Sequence, residues 1–147
     1  MLTVTRHAEF EAAHLLPDYP GACTNLHGHS YKIEVSVTCD ERVDWGMVLD
    51  FKELDRIIKN VVPDHKYMYN EKRPSLIEAD LVDVLKKYNK SIQGFPFDTS
   101  AENMSVWFVN QIQSEINKNE TLYNRGVKVT KVKLWETSNS FAEYEVE

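Results

Sequence analysis

The strongest constraint on the fold is a run of alternating residues between positions 29 and 39. Tyr31, Ile33, Val35 and Val37 share one parity, and polar side chains separate them. Successive side chains of a strand point to opposite faces, so this pattern predicts a half-buried strand of an antiparallel sheet. Residues 2–13 alternate more weakly and predict a strand that precedes it. A turn is expected around Asp44–Gly46.

Three segments have helical spacing. The pattern D-x-x-E at Asp50–Glu53 has the form of a capping box and predicts a helix that ends before Pro63. A second such pattern, Thr99 to Glu102, predicts a helix over about 102–118. Residues 76–88 also have helical spacing. The long helix is expected to bury a stripe of four residues: Val106, Val109, Ile112 and Ile116.

Two closing strands are predicted at 127–136 and 141–146, joined by a hairpin around Thr137–Ser140. The chain has 147 residues and contains no repeat or linker-like tract, so we expect one domain over 1–147. The order of elements predicts an α+β fold with an antiparallel sheet and helices packed on one face.

Composition excludes several classes of function. Lys and Arg number 17 against 23 Asp and Glu, a net charge of −6, which argues against binding of a nucleic-acid backbone. No apolar run approaches the length of a membrane span, and no signal peptide is visible at the N-terminus. Two cysteines do not make a disulfide framework. We therefore expect a cytoplasmic protein that does not contact membranes.

The segment CTNLHGHS, residues 23–30, contains the strongest chemical signal. His27 and His29 are two positions apart, so in an extended chain both imidazoles point to the same face. His14 ends the first strand and can meet both if the two strands form a hairpin. Three neutral imidazoles suit Zn²⁺ and leave its fourth position open, as in catalytic zinc sites.

Cys23 leaves three alternatives open, the simplest of which is a loop cysteine with no role in the site. As a fourth ligand it would close the site and make the zinc structural. As a free thiol beside a cation it would have a lowered pKa and could act as a base or nucleophile.

Two other places carry candidate catalytic groups. Asp64 and His65 follow the first predicted helix, and an adjacent carboxylate can orient an imidazole that acts as acid or base. Glu136 ends a predicted strand, from which its carboxylate could accept two parallel N–H bonds from an amidine-like ligand edge.

Taken together, these motifs resemble the family of 6-pyruvoyl- and 6-carboxy-tetrahydropterin synthases. The matching segments are FEAAHLL, CTNLHGHSYKIEV, WGMVLDFKELD, DHKYMYN, TSAENMSVWF and KLWET, which occur in this order over nearly the whole chain. The C-x₃-H-G-H spacing is similar to the bacterial carboxy branch, which makes a precursor of queuosine and related deazapurines. The pyruvoyl branch typically has a longer gap between the cysteine and the histidines.

The resemblance implies the tunnelling fold, with a four-stranded antiparallel sheet and a homohexamer, a dimer of trimers with active sites at subunit interfaces. It implies zinc bound by His14, His27 and His29. It implies Cys23 as the catalytic base, with His65 and Asp64 as its proton relay.

The resemblance also implies that Glu136 anchors the pterin ring. Ser100 and Glu102 fall where the family has a pocket-lining Thr-x-Glu element. The capping box of Thr99 and Glu102 explains this segment equally well without a ligand. Two departures stand out: Thr99 replaces a usual proline, and residues 71–97 are longer than in compact bacterial members and add the helix near 76–88.

The expected reaction converts the pterin triphosphate 7,8-dihydroneopterin triphosphate to 6-carboxy-tetrahydropterin, with release of acetaldehyde and triphosphate. Candidate cations for the triphosphate are Lys32, Lys66, Lys72 and Arg73. One rival is triphosphate elimination that retains the carbon side chain, as in the pyruvoyl branch. The other is a non-catalytic zinc- or pterin-binding module.

Overall fold

The computed structural model describes residues 1–43, 45–73 and 75–147, so Asp44 of the predicted turn lies outside the described residues. A short 3₁₀ helix at Ala22–Thr24 precedes the second strand. The strands and helices are β1 (Val4–His14), β2 (His27–Thr38), α1 (Phe51–Val61), β3 (Lys66–Asn70), α2 (Leu76–Lys87), β4 (Ile92–Phe95), α3 (Ala101–Asn117), α4 (Glu120–Asn124), β5 (Lys128–Thr137) and β6 (Ser140–Glu145).

A long hairpin of β1 and β2 forms the middle of the sheet. The two strands pair antiparallel from Val4 opposite Val37 to His14 opposite His27. β5 pairs antiparallel with β2, and β6 pairs antiparallel with β5 through the predicted hairpin at Thr137–Ser140. These four strands confirm the antiparallel part of the predicted sheet.

The sheet has six strands, in the order β4-β3-β1-β2-β5-β6, so the prediction of four strands was wrong. β3 pairs parallel with β1, and β4 pairs parallel with β3. The two extra strands have only five and four residues, too few for an alternating pattern to stand out in the sequence. Each places one fully buried apolar side chain in the core, Met68 from β3 and Phe95 from β4.

The main core lies between the sheet and helices α1 and α3. Leu54 and Ile58 of α1 and Ile112 and Ile116 of α3 are completely enclosed by the apolar face of the central strands. Val106 was predicted to lie on the buried stripe but is 39% exposed. Six positions separate it from Ile112, which places it about 120° around the helix axis from Ile112, outside the buried face.

Helix α2 packs on the other face of the sheet, which corrects the prediction of helices on one face only. Neighbouring strand residues point to opposite faces, and Met68 points into the main core. Tyr67 therefore points away from that core, and its hydroxyl donates to Glu78 of α2 at 2.9 Å. Val82 completes the small buried face of α2.

Among the described residues, none of the helices combines the length and the apolar character needed to cross a membrane.

Candidate metal and ligand-binding site

The hairpin of β1 and β2 brings three histidines together at its open end. His14 lies directly opposite His27, and His29 shares their face of the sheet. The ring centroids are 4.6 Å apart for His14 and His27, and 4.8 Å apart for His27 and His29. One nitrogen from each ring lies within 4.8 Å of the other two. The predicted meeting of these imidazoles across the hairpin is confirmed.

The arrangement of the ring nitrogens fits a metal ion. The Nε2 atoms of all three histidines are buried and have no hydrogen-bond partner within the described chain. Buried polar atoms normally find a partner, because an unpaired one raises the free energy of the fold. The other ring nitrogen, Nδ1, is hydrogen-bonded in two of the three histidines. Nδ1 of His14 lies 3.0 Å from the Thr99 carbonyl, and Nδ1 of His27 lies 2.7 Å from the Asn25 carbonyl. The group could therefore hold a metal on converging Nε2 lone pairs.

Burial favours the neutral, metal-binding form of His14 and His29. The pKa of His14 is lowered from 6.5 to about 4, first by burial and then by the charges of His27 and His29. Burial also lowers the pKa of His29, although Glu136 opposes this effect. Metal ligation requires the neutral imidazole, so the depressed pKa of His14 favours the binding form at neutral pH.

Glu136 connects the histidines to a cavity. It follows Trp135 of β5, which pairs with Lys32 of β2. One carboxylate oxygen, Oε1, lies 3.5 Å from Nε2 of His29, without the geometry of a hydrogen bond. The side chain is 27% exposed and reaches the cavity wall. A ligand held by Glu136 would therefore lie next to the histidine group.

The cavity at Glu136 has a volume of about 360 Å³ and collects four of the predicted site residues. They come from three separate parts of the chain: the 3₁₀ helix, the start of α3 and the end of β5. Its lining residues are Leu16, Tyr19, Cys23, Ser100, Ala101, Glu102, Glu136, Ser140 and Phe141. Polar and apolar groups of this kind suit a flat, polar small molecule.

Cys23 lies in this cavity wall rather than among the metal-binding nitrogens. It is a free, half-buried thiol on the 3₁₀ helix. Within the parts of the chain that the structure describes, the group close enough to share a metal consists of His14, His27 and His29. The geometry favours three nitrogen ligands over a closed site with a fourth sulfur ligand.

Asp64 and His65 lie elsewhere. Oδ1 of Asp64 accepts from the Glu11 backbone at 2.9 Å and lies 3.0 Å from Nδ1 of His65. These bonds, the Glu11 N–H first, lower the pKa of Asp64. His65 is 78% exposed, has a φ of 57° and lines a second, larger cavity of about 590 Å³ between α2 and the sheet. One chain therefore does not bring Cys23 and His65 into the same cavity.

Two residues of the site were missed by sequence reasoning. Thr99 was interpreted as a helix cap, but Ser100 caps α3 by accepting from the Asn103 backbone, and Thr99 contacts His14 instead. Tyr31 was assigned only to the core. Its hydroxyl is buried without a partner within the described chain, and its ring lies 5.4 Å from that of His29.

Burial raises the pKa of Tyr31, with smaller contributions from Glu136 and Cys23. Its phenol therefore stays protonated near the site. The signal for it was present in the sequence, because Tyr31 has the same strand parity as His27 and His29.

Comparison with known proteins decides the family. A sequence profile described as 6-pyruvoyl tetrahydropterin synthase matches residues 3–147. The chain belongs to this family. A protein of Haemophilus influenzae named 6-carboxy-5,6,7,8-tetrahydropterin synthase is 31% identical over 99% of both chains. A protein of Aquifex aeolicus with the same name is 36% identical over 85% of this chain and 76% of its own length.

Solved structures agree with this family at the level of the fold. An uncharacterized Wolinella succinogenes protein aligns with a TM-score of 0.75 at 22% identity, over 99% of this chain and 98% of its own. The 6-pyruvoyl tetrahydropterin synthase of Plasmodium falciparum aligns with a TM-score of 0.70 at 19% identity, over the same shares. The predicted tunnelling fold is confirmed, with two strands more than expected.

Proposed function

We propose that the protein is a zinc-dependent 6-carboxy-5,6,7,8-tetrahydropterin synthase. It would convert 7,8-dihydroneopterin triphosphate to 6-carboxy-tetrahydropterin and release acetaldehyde and triphosphate. Relatives of 31% and 36% identity carry this name, and the three-residue spacing between Cys23 and His27 favours the same product branch. The product would enter the biosynthesis of queuosine or a related deazapurine.

The position of Glu136 is the observation that carries this proposal. Its carboxylate borders the cavity that contains Cys23 and also lies 3.5 Å from Nε2 of His29. A pterin has a guanidine-like N–H edge, and a carboxylate accepts two parallel bonds from such an edge. A ring held in this way would present its side chain to Cys23 and the histidines together, so binding would also orient the reacting carbons.

His14, His27 and His29 would hold the zinc through their Nε2 atoms. Bound zinc supplies a Lewis acid that lowers the pKa of hydroxyl groups and stabilises negative charge on oxygen. Cys23 would remove and return protons at the side-chain carbons. Ser100 and Glu102 would line the pocket around the ring, since both lie in the same cavity wall.

The proton relay would come from a second copy of the chain. Asp64 holds His65 at 3.0 Å, which suits an oriented acid or base, but His65 lines a different cavity from Cys23. An assembly that places the exposed His65 of one copy against the Cys23 cavity of another would complete the site. This is consistent with the proposed hexamer, in which active sites lie at subunit interfaces.

The triphosphate requires cations in a chain of net charge −6. Lys66 lines the cavity of His65 and would approach the substrate together with it. Lys32 lines a third cavity, where its ammonium lies 4.9 Å from the centre of the Trp135 ring. The structure therefore favours Lys66 over Lys32 as a triphosphate ligand.

Product analysis tests the reaction. The purified protein, loaded with zinc, is incubated with 7,8-dihydroneopterin triphosphate, and the products are measured by mass spectrometry and an acetaldehyde assay. The proposal predicts a 6-carboxy-pterin and acetaldehyde in equal amounts. An intact three-carbon side chain with released triphosphate would assign the protein to the pyruvoyl reaction instead.

A further inference from the structure

Thr99 holds His14 with two atoms. Both its backbone carbonyl and its Oγ1 lie 3.0 Å from Nδ1 of His14. The contact joins residues 85 positions apart, and both partners are almost completely buried, at 1% and 2% exposure. Bulk water therefore cannot replace either contact.

The carbonyl contact selects one tautomer of His14, and in that tautomer the Thr99 hydroxyl is a second acceptor for the same ring hydrogen. A carbonyl oxygen only accepts hydrogen bonds, so its contact places the ring hydrogen on Nδ1. Nε2 then carries a free lone pair, which is the atom that faces His27 and His29. In the opposite tautomer the Thr99 hydroxyl would donate to Nδ1, and a hydrogen on Nε2 would block metal ligation.

His27 is held less firmly by its surroundings than His14. Nδ1 of His27 contacts the carbonyl of Asn25, which lies on an exposed loop. His14 is the most enclosed of the three, so its direction depends on protein groups alone. Groups that orient a metal-bound histidine commonly change metal affinity by about 10–100-fold when they are removed.

We propose that Thr99 is a positioning residue that holds His14 in the metal-binding tautomer through its hydroxyl as well as its carbonyl. This inference rests on the proposed metal site. Because Ser100 caps α3 immediately afterwards, the same contact fixes the start of α3, where Ser100 and Glu102 line the cavity. Thr99 therefore joins the metal centre to one wall of the ligand cavity.

Metal affinity of three variants tests this role. Zn²⁺ and Co²⁺ affinities are measured by chelator competition for the wild type, Thr99→Val, Thr99→Ser and Ser105→Ala. Thr99→Val removes the hydroxyl at nearly constant volume, and we expect about tenfold weaker binding because the carbonyl remains. Thr99→Ser keeps the hydroxyl and should stay within about threefold of the wild type. Ser105, also buried on α3, bonds the Glu102 carbonyl at 2.8 Å rather than a histidine, so Ser105→Ala should bind like the wild type.

Wild-type affinity in Thr99→Val would overturn the inference while leaving the metal site intact. An equal loss in Thr99→Ser and Thr99→Val would also overturn it, since packing of the methyl group would then be responsible. A wild-type protein that binds neither metal would refute the proposed metal site and this inference together.

A second measurement does not depend on the folding of any variant. The ¹⁵N chemical shifts of His14 in the metal-free wild type report which ring nitrogen carries the hydrogen. We expect the Nδ1–H tautomer, and a hydrogen on Nε2 would contradict the proposal.

Discussion

The imidazole of His14 is enclosed between two other imidazoles and the start of α3, and this environment determines its charge. The folded protein keeps it neutral down to about pH 4, whereas in an unfolded chain it takes up a proton near pH 6.5. Between these values the unfolded state binds more protons, so the stability of the metal-free protein rises with pH.

Denaturant unfolding at several pH values tests this dependence. As the pH falls from 6.5 to 4, the metal-free protein should lose about 3 kcal/mol of stability, because His14 takes up a proton more readily in the unfolded chain. His14→Gln should remove most of this slope, whereas His7→Gln, at an exposed position of the same strand, should keep it. Equal slopes in both variants would show that His14 is not the responsible group.

Two buried tyrosines make a matched pair for a second prediction. The hydroxyl of Tyr31 has no partner in the described chain, whereas that of Tyr67 donates to Glu78. Tyr31→Phe should leave the metal-free protein as stable as the wild type or raise its stability, because an unpaired buried group is removed. Tyr67→Phe should cost about 1–2 kcal/mol, because Glu78 loses its donor.

Thermal unfolding of the two metal-free variants checks this difference. If Tyr31→Phe destabilises the protein as much as Tyr67→Phe, the hydroxyl of Tyr31 has a structural partner after all.

Sequence analysis identified the histidines, whose side chains are typical metal ligands, but it missed Thr99, which acts by holding one of them. His14, His27 and His29 were found because strand parity places them on one face. Thr99 was misassigned because a threonine three residues before a glutamate matches a helix cap equally well. Its contact with His14 spans 85 positions, and no local pattern predicts such a contact.

Helix α2 is attached to the sheet through a buried acid. Glu78 is 1% exposed, accepts from Tyr67, and has one carboxylate oxygen without a partner within the described residues. Burial raises its pKa, and the nearby charge of Asp98 adds to the effect. The folded protein therefore holds this proton more tightly than the unfolded chain does.

This buried acid predicts a pH dependence opposite in sign to that of His14. The usual pKa of a glutamate side chain is about 4.5, so above this pH the unfolded chain loses the Glu78 proton while the folded protein keeps it. The stability of the protein should therefore fall as the pH rises, until Glu78 also ionises in the folded state. Glu78→Gln should remove this loss and stabilise the protein at neutral pH. Asp80→Asn, at an exposed position of α2, serves as the control. Unfolding curves between pH 4.5 and 8 that coincide for Glu78→Gln and the wild type would contradict this account.

Among the helices and strands, those whose formation depends on the hydrophobic periodicity of their own residues were predicted correctly. The helices at 51–61, 76–87 and 101–117 and the long strands follow from periodicity over ten or more residues. β3 and β4 are short and pair in parallel through a helical crossover, so their existence depends on contacts outside each segment. The side of the sheet on which α2 packs depends on the contact of Tyr67 with Glu78, and the spacing of apolar residues in α2 does not predict it.

At the level of the whole molecule, the proposed site is divided between two cavities. Cys23 and Glu136 line one, and His65 lines the other, so the proposed site would be completed by a second copy of the chain. Cys23→Ala and His65→Ala should each abolish turnover. Co-assembly of the two from a denatured mixture should restore up to about a quarter of the wild-type activity, because some interfaces then combine two intact residues.

A mixture of Cys23→Ala and Glu136→Gln provides the control for co-assembly. These residues line the same cavity of one chain, so every site in this mixture carries a defect. If both mixtures regained the same activity, the active site would not be divided between two copies of the chain.

Cys23 is proposed to take part in turnover without binding the metal, and a single variant separates these two roles. Zinc content and turnover are measured together on Cys23→Ala, with Cys39→Ala, the other free half-buried cysteine, as the control. We expect Cys23→Ala to retain one zinc per chain and lose turnover, while Cys39→Ala keeps both. Loss of zinc from Cys23→Ala would make the thiol a metal ligand, and full turnover without it would remove Cys23 from the reaction.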